Sequence, residues 1–462
     1  MPRSLLCATG KGNQLFEIAL LFATPALLVG AFGVPAAPLV VAVGEAPAAQ
    51  LDVLGTPLAP GSDPISEPSL SIDRLQGVAL LDRLDAMPRG DVRTFLASHP
   101  DAVRALLTSP PSAIEVSAWW NSAPADGRSN LRALAPELVG NLEGVPYAAR
   151  DLANRDVLKE TKSDLDARLA GGSVGRAERD ELVTRRHMLE QVQKALVAKG
   201  ETRRLVSLDV TGEGRAVVAV GDIARADYVS YLVPGMFFGV DAQIEAWAAT
   251  AQTVVDQQEQ WLRVLHPGQQ ETVAAIAWIG YKTPSLVNVA SMELAREGQV
   301  SLTESLQGLR AVRGDDQPYL SVLAHSYGST AALLSLAEDD VSVDALAVVG
   351  SPGSPARSVD ELHVTAGNVW VGAADWDPIP ASGVFGSQPS SRAYGARLFS
   401  VAAGSDPIAG GELSGAVTHN DYFAPGSMSL RNLSLIGIGE GQYVVGPDHS
   451  RGDFARALTR IR

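Results

Sequence analysis

A serine set between a short apolar strand and a small-residue helix constrains this chain more than any other feature. In the stretch Tyr319-Leu-Ser-Val-Leu-Ala-His-Ser-Tyr-Gly-Ser-Thr-Ala-Ala-Leu-Leu336, Leu320 to Leu323 reads as a buried strand. Thr330 to Ala337 reads as a helix rich in Ala and Leu. The turn between them is Ala324-His325-Ser326-Tyr327-Gly328. A turn this tight tolerates only small residues two positions before and after the serine, and Ala324 and Gly328 meet that need. Its strain lifts the Ser326 hydroxyl clear of the sheet. The helix behind it aims free N–H groups and partial positive charge at the same place. The arrangement suits a nucleophile better than an ordinary turn serine.

Around this turn, strands alternate with helices from Arg204 onward. Leu205 to Val210 and Ala216 to Val220 read as an antiparallel pair, and Tyr228 to Val233 as a third strand ending in Pro234-Gly-Met236. Asp241 to Leu265 reads as a helix, Thr272 to Ile279 as a strand, and Leu302 to Arg313 as a helix. Strands are expected at Val343 to Val349, Asn368 to Val371 and Arg397 to Val401, and a helix at Ser427 to Ile436. Such alternation implies a mostly parallel sheet with helices on both faces.

The upstream half reads differently. Arg3 and Lys11 precede Ile18 to Val43, which carries no charge, and Ala46-Pro-Ala48 follows. That pattern suits an export signal, a retained membrane anchor, or a buried apolar arm of a cytoplasmic protein; export or anchoring in the cell envelope is the expectation. Leu51 to Leu70 is Pro-rich and reads as a linker. Short helices follow, including Asp73 to Asp85 and Ala113 to Asn121, the latter carrying Trp119-Trp120 as core residues. Ala148 to Leu169 and Arg176 to Lys199 form an expected helical hairpin. Its seam is Leu158, Leu165 and Leu169 against Leu182, Leu189 and Leu196, with the Arg, Asp and Glu residues on a solvated face. The expected layout is residues 1–50 as signal or anchor, 51–112 as linker and short helices, 113–200 as a helical region, and 201–462 as the catalytic domain.

At 462 residues, a length of about two to three domains, the chain has a net charge of -15, which argues against nucleic acid and anionic membrane surfaces as partners and is read as favouring solubility. Cys7 is the single cysteine and the 7 histidines are scattered, so neither a disulfide framework nor a metal site is expected.

Acyl-transfer chemistry needs a nucleophile, a base and an orienting acid. The residues after Ser326 supply both in a workable order. Asp377 follows the strand Asn368 to Val371, and Pro378 pins the turn after it; Asp375 competes with it. His419, in Thr418-His-Asn-Asp-Tyr422, lies beyond the last strand, and His449 is its rival. His363 precedes the acid strand and is out of order, while His325 is expected to pack beside Ser326 rather than face its hydroxyl. The backbone N–H groups of Tyr327 and Met236 are the candidate oxyanion donors, with Gly235 allowing close approach. Phe237, Phe238, Tyr281 and Trp376 fall on loops at the same sheet end, where they line an apolar acyl pocket or simply pack as core.

Several segments together resemble a mostly actinobacterial family of α/β hydrolases known as a domain of unknown function. They are Val233-Pro-Gly-Met236, Trp278-Ile-Gly-Tyr-Lys-Thr-Pro284, Ala324-His-Ser-Tyr-Gly-Ser329, Asp377-Pro-Ile379 and His419-Asn-Asp-Tyr422. Upstream, Trp119-Trp120, Gly140-Asn-Leu-Glu-Gly-Val-Pro146 and Ala149-Arg-Asp-Leu-Ala-Asn-Arg155 extend the likeness, which spans about Ala113 to Leu433. Ala324 stands where the family's turn usually begins with Gly. The resemblance implies an α/β-hydrolase fold with a helical N-terminal region. The expected function is a serine hydrolase acting on a small-molecule or lipid ester through Ser326, Asp377 and His419 without a cofactor. A non-catalytic envelope or binding protein that keeps the fold is the alternative.

Overall fold

Runs of Val, Ile, Leu and Ala bounded by Gly, Pro and Asp turns become strands because β-branched and small apolar side chains suit a sheet buried on both faces. The structure, a computed structural model, describes residues 72–172, 174–197 and 200–447. The expected signal or anchor Ile18 to Val43, the Pro-rich linker and His449 lie outside the described residues. Among the described residues no helix is long and apolar enough to cross a membrane.

The described residues begin with a 3-10 turn (Ile72–Arg74), followed by helices α1 (Gly77–Ala86), α2 (Arg89–Ser98), α3 (Ala102–Thr108), α4 (Ala113–Ser122), α5 (Ala125–Leu134), α6 (Pro136–Asn141), α7 (Tyr147–Ala170) and α8 (Arg176–Ala195). Strands β1 (Arg203–Asp209), β2 (Arg215–Val220) and β3 (Tyr228–Val233) follow, then α9 (Val240–Leu265), β4 (Val273–Ile279) and α10 (Glu293–Arg313). The rest is β5 (Tyr319–His325), α11 (Tyr327–Ser335), β6 (Ala345–Val349), β7 (Val369–Gly372), the single turn α12 (Ile379–Ser382), β8 (Arg397–Leu398), the small hairpin β9 (Gly404–Ser405) and β10 (Glu412–Leu413), and α13 (Met428–Gly437).

The first eight strands form one sheet in the order β1-β2-β4-β3-β5-β6-β7-β8. β2 runs antiparallel to both its neighbours, and every pairing from β4 through β3 to β8 is parallel. The expected mostly parallel sheet is therefore present, with β5 near its centre. One face is covered by α8, α9 and α13, which bury Leu189, Val254 and Leu433. The other face is covered by α10 and α11, which bury Leu302, Leu306 and Leu333.

Several boundaries differ from expectation: α11 begins at Tyr327 rather than Thr330, α1 at Gly77 rather than Asp73, and α8 ends at Ala195. Two further differences have a clear physical reason. Helix α10 begins at Glu293 rather than Leu302. Gly298 lies inside the helix as a contact point: a Cβ there would stand 3.0 Å from both Ala331 and the Tyr281 ring. The last strand pairs only through Leu398, since the Ser400 amide leaves the sheet to donate to the Val445 carbonyl.

The upstream helices hold a third apolar cluster, with Leu81, Val116, Trp119 and Leu131 at its centre, so Trp119 and Trp120 are core residues. The indole N–H of Trp119 donates to Asp85 Oδ2 at 2.7 Å. Ser117 on α4 donates to the Ala311 carbonyl of α10. In the hairpin, Leu158, Leu165, Leu182 and Leu189 are buried along the expected seam.

The solvated-face reading of α7 fails at four residues, because α7 and the end of α6 lie along the outer edge of β1. Asn141 accepts from the Leu208 amide at 2.9 Å and donates to the Leu208 carbonyl at 3.0 Å. Asp151 accepts from the Leu205 amide at 2.7 Å, and Asn154, fully buried, donates to the Leu205 carbonyl at 3.0 Å. Arg155 donates to the Arg203 carbonyl, and buried Arg150 pairs with Glu143. An open sheet edge presents unpaired backbone groups; here polar side chains of the helical region satisfy them.

Candidate active site

All the parallel strands point their C-terminal ends at one rim, where open α/β sheets place their ligand sites. Ser326 directly follows β5 at that rim and adopts φ 53° and ψ -132°, a left-handed conformation that costs a non-glycine residue energy. The surroundings hold it there. The Ser326 amide donates to the Val349 carbonyl of β6 at 2.9 Å, and Ser329 in the first turn of α11 donates to the Ser326 carbonyl. Ser329 also reaches Ser351 at 2.7 Å, and Thr330 donates to the Gly353 carbonyl, tying α11 to the loop after β6.

Two glycines let backbone segments meet at the serine. A Cβ on Gly328 would stand 2.2 Å from the Pro234 carbonyl oxygen, and one on Gly235 would stand 2.5 Å from the Ser326 Cβ. The loop after β3 is thereby pressed against the turn. Within the described residues neither the Met236 nor the Tyr327 amide has an acceptor, which leaves both N–H groups available at the serine.

The structure brings Ser326, His419 and Asp377 into one hydrogen-bonded chain. His419 Nε2 lies 2.6 Å from Ser326 Oγ, and His419 Nδ1 lies 2.8 Å from Asp377 Oδ2. These partners are 93 and 42 residues apart in sequence. Asp377 is buried, whereas its competitor Asp375 is exposed. The Ile379 amide, one residue past Pro378, donates to Asp377 Oδ1 at 3.0 Å. Burial alone would raise the Asp377 carboxyl. Hydrogen bonds from His419, Tyr422 and the Ile379 amide, together with the His419 charge, outweigh burial and hold it below its ordinary value. His363 lies elsewhere, on the exposed Asp339.

Two residues at the site, Tyr422 and Gly350, carried no assigned part in the sequence reading. Tyr422, fully buried, donates to Asp377 Oδ2 at 2.7 Å and accepts from the Ala374 amide at 2.9 Å. Its one sequence signal is its place in His419-Asn-Asp-Tyr422. Gly350, at φ 60°, leaves room for the base: a Cβ there would stand 2.9 Å from His419 Cε1. His325 is packed and turned away from the Ser326 hydroxyl, as expected, and its Nε2 lies 2.7 Å from the His419 carbonyl oxygen.

The aromatic residues proposed for an acyl pocket divide. Trp376 is 83% exposed beside Asp377, and Phe237 is 49% exposed beside Met236. Phe238 is half-buried and packs edge-on against Trp247 at 5.0 Å. Tyr281 is not a lining residue. It is buried against Trp278, and its hydroxyl donates to the Pro234 carbonyl at 2.8 Å, because the loop after β4 passes beneath the loop after β3. It supports the Gly235-Met236 segment from below. Among the described residues no group of His, Cys, Asp and Glu is arranged to hold a metal.

A parallel sheet entered by an antiparallel β2, crossing over at β4 and β3 and bearing the serine turn after β5, defines an α/β hydrolase. Comparison with known proteins agrees. Residues 209–386 match the family model described as alpha/beta hydrolase. It is 29% identical over 377 residues to the uncharacterized proteins Rv2079 and MT2140 of two Mycobacterium tuberculosis strains, with 71% of this chain and 56% of each relative covered. The chain thus spans little more than half the length of these curated relatives. Among solved structures, an arylesterase is 13% identical, covering 62% of this chain and 98% of its own, at a TM-score of 0.33. A thermostable esterase from Pseudomonas putida ECU1011 is 11% identical, covering 62% and 97%, at a TM-score of 0.31. Likenesses this distant add nothing to the fold assignment, which rests on the strand order and the family match.

Proposed function

We propose that this α/β hydrolase is a serine hydrolase that cleaves an ester or related acyl bond through a covalent acyl-enzyme. The observation that carries the reading is the continuous hydrogen-bonded chain from Ser326 Oγ through His419 to Asp377, at 2.6 and 2.8 Å. In this mechanism Ser326 Oγ attacks the acyl carbon while His419 Nε2 takes its proton. The Met236 and Tyr327 amides donate to the oxyanion of the tetrahedral intermediate. Collapse breaks the acyl–oxygen bond, and His419 returns the proton to the leaving alkoxide. Water, deprotonated by His419, then attacks the acyl carbon, releasing the acid and restoring Ser326. Asp377 keeps the His419 Nδ1 protonated and offsets the charge of the imidazolium.

The exposed rings of Phe237 and Trp376 beside the two catalytic loops support a substrate with an apolar acyl or alcohol part, a small ester or a lipid. We also propose that Ile18 to Val43 directs the protein to the cell envelope; a mature protein that fractionates as cytosolic with this segment intact would refute it.

The direct test is a fluorophosphonate probe, which an activated serine attacks at phosphorus, displacing fluoride and leaving the serine phosphonylated. The purified protein should label at Ser326 and hydrolyse activated esters, with rates across a series of acyl lengths reporting the substrate class. A folded protein that neither labels nor hydrolyses would leave the non-catalytic binding role in its place.

A further inference from the structure

Resting on that reading, we infer that His325 is a positioning residue for the general base: its imidazole clamps the backbone carbonyl of His419 and so holds the base loop at the nucleophile strand. A base carried on a loop must still be placed to within about 0.5 Å to work. His419 sits in a segment of turns, not on a helix or strand. Within Thr418 to Tyr422 the backbone's own bonds are local. Asp421 accepts from the Val417 and Thr418 amides at 3.1 and 2.6 Å, and the Asp421 amide donates to the Thr418 carbonyl. These bonds shape the loop but do not attach it to the sheet.

Two attachments do. Tyr422 reaches the acid loop through Ala374 and Asp377. His325 reaches the base itself, at 2.7 Å to the His419 carbonyl, with the two imidazoles 4.8 Å apart. A carbonyl oxygen only accepts, so His325 carries its proton on Nε2 and donates. His325 is the last residue of β5, and Ser326 follows it directly. One strand end therefore presents the nucleophile and, through the adjacent side chain, grips the residue that activates it. Burial and the neighbouring His419 charge push the His325 imidazole down to about 3, so it stays neutral over the ordinary pH range. Packing against Phe238 and Tyr422, with ring centroids 6.5 and 5.9 Å away, fixes its orientation.

The test compares wild type with His325→Phe and His325→Gln. Phenylalanine keeps a ring but has no donor, whereas glutamine carries an amide N–H2 close to where Nε2 stands. For His325→Phe we expect kcat and the fluorophosphonate labelling rate to fall about tenfold to a hundredfold, the range for a small misplacement of a catalytic group, with KM nearly unchanged. His325→Gln should retain most of the wild-type rate at a similar melting temperature. Equal rates for wild type and His325→Phe, or equal losses in both variants, overturn the inference. Should His325→Phe not fold, 15N spectra of the wild-type histidine rings decide: a neutral Nε2–H tautomer at His325 is required, and an Nδ1–H tautomer refutes it. Failure of the wild type to label refutes the serine-hydrolase reading instead, so the two failures are distinguishable.

Discussion

The serine turn after β5 and the outer edge of β1 solve opposite problems with different materials. At the turn, backbone must approach backbone, and absent side chains allow it: Gly328 against the Pro234 carbonyl, Gly235 against Ser326, Gly350 against His419. At the edge, backbone groups have no strand to pair with, and long polar side chains reach them: Asn141 to Leu208, Asp151 and Asn154 to Leu205, Arg155 to Arg203. Ser326 in the turn and Phe237 in the loop pressed against it have positive φ, 53° and 60°. At the edge, side chains supply the partners that the β1 backbone groups lack. The turn should therefore respond to substitution through rate, and the edge through stability.

The sharpest contrast is expected from Ser326→Ala. It removes the covalent route, and kcat for an activated ester should fall by about a millionfold, while the melting temperature stays near wild type or rises as strain is relieved. A His419→Ala, Ser326→Ala double variant should be little worse than either single one. Independent, multiplying losses would break the view that these groups act as a unit.

Asp377→Asn comes next. An amide at this position favours the wrong imidazole tautomer, and kcat should drop by about ten-thousandfold, whereas exposed Asp375→Asn should leave ester hydrolysis nearly unchanged. Comparable losses in the two variants would show that the buried carboxylate is not the orienting acid.

At the edge, Asp151→Ala and Asn154→Ala each leave a Leu205 backbone group without its partner. Unfolding in urea should show a loss of about 1–3 kcal/mol for each, with kcat of the folded protein preserved. A large drop in kcat at full stability would mean that the helical region acts on the active site rather than on the sheet.

The smallest expected effect lies at the opposite rim from the active site. His266 lies within hydrogen-bonding distance of both Glu271 and Glu440, the latter at 3.0 Å, and Tyr228 donates to Glu271. Burial alone would lower the His266 imidazole, but the hydrogen bonds and charges of the two glutamates outweigh burial and raise it above 6.5. A raised folded value stabilises the native state below the unfolded value of 6.5, and that contribution is lost as pH climbs through the folded value. Melting temperature across pH 5 to 9 should fall more steeply at the alkaline end for wild type than for His266→Gln. Parallel curves would show that the pair contributes nothing.

The comparison also separates what was readable in advance from what was not. The turn was legible because its signature is local: a short apolar strand, a serine flanked by small residues, and a helix, all within Tyr319 to Leu336. The acid and base could be nominated by order, since Asp377 and His419 each follow a strand. The edge was illegible because Asn141, Asp151, Asn154 and Arg155 resemble any polar helix residues facing water. Tyr281 was misplaced for a related reason: an aromatic on a loop carries no mark of whether it faces the site or the loop beneath it.

By itself the sequence determined the alternation of strands and helices, and with it the fold class, because apolar periodicity and turn residues act over a few positions. It determined the strained turn, because only small side chains permit one. The tertiary structure alone decided which carboxylate meets His419, that Tyr422 and His325 hydrogen-bond to Asp377 and the His419 carbonyl, and that a charged helix lies along the sheet edge. These depend on distances between residues tens of positions apart. Such distances are set by packing of the whole core, which no local pattern specifies.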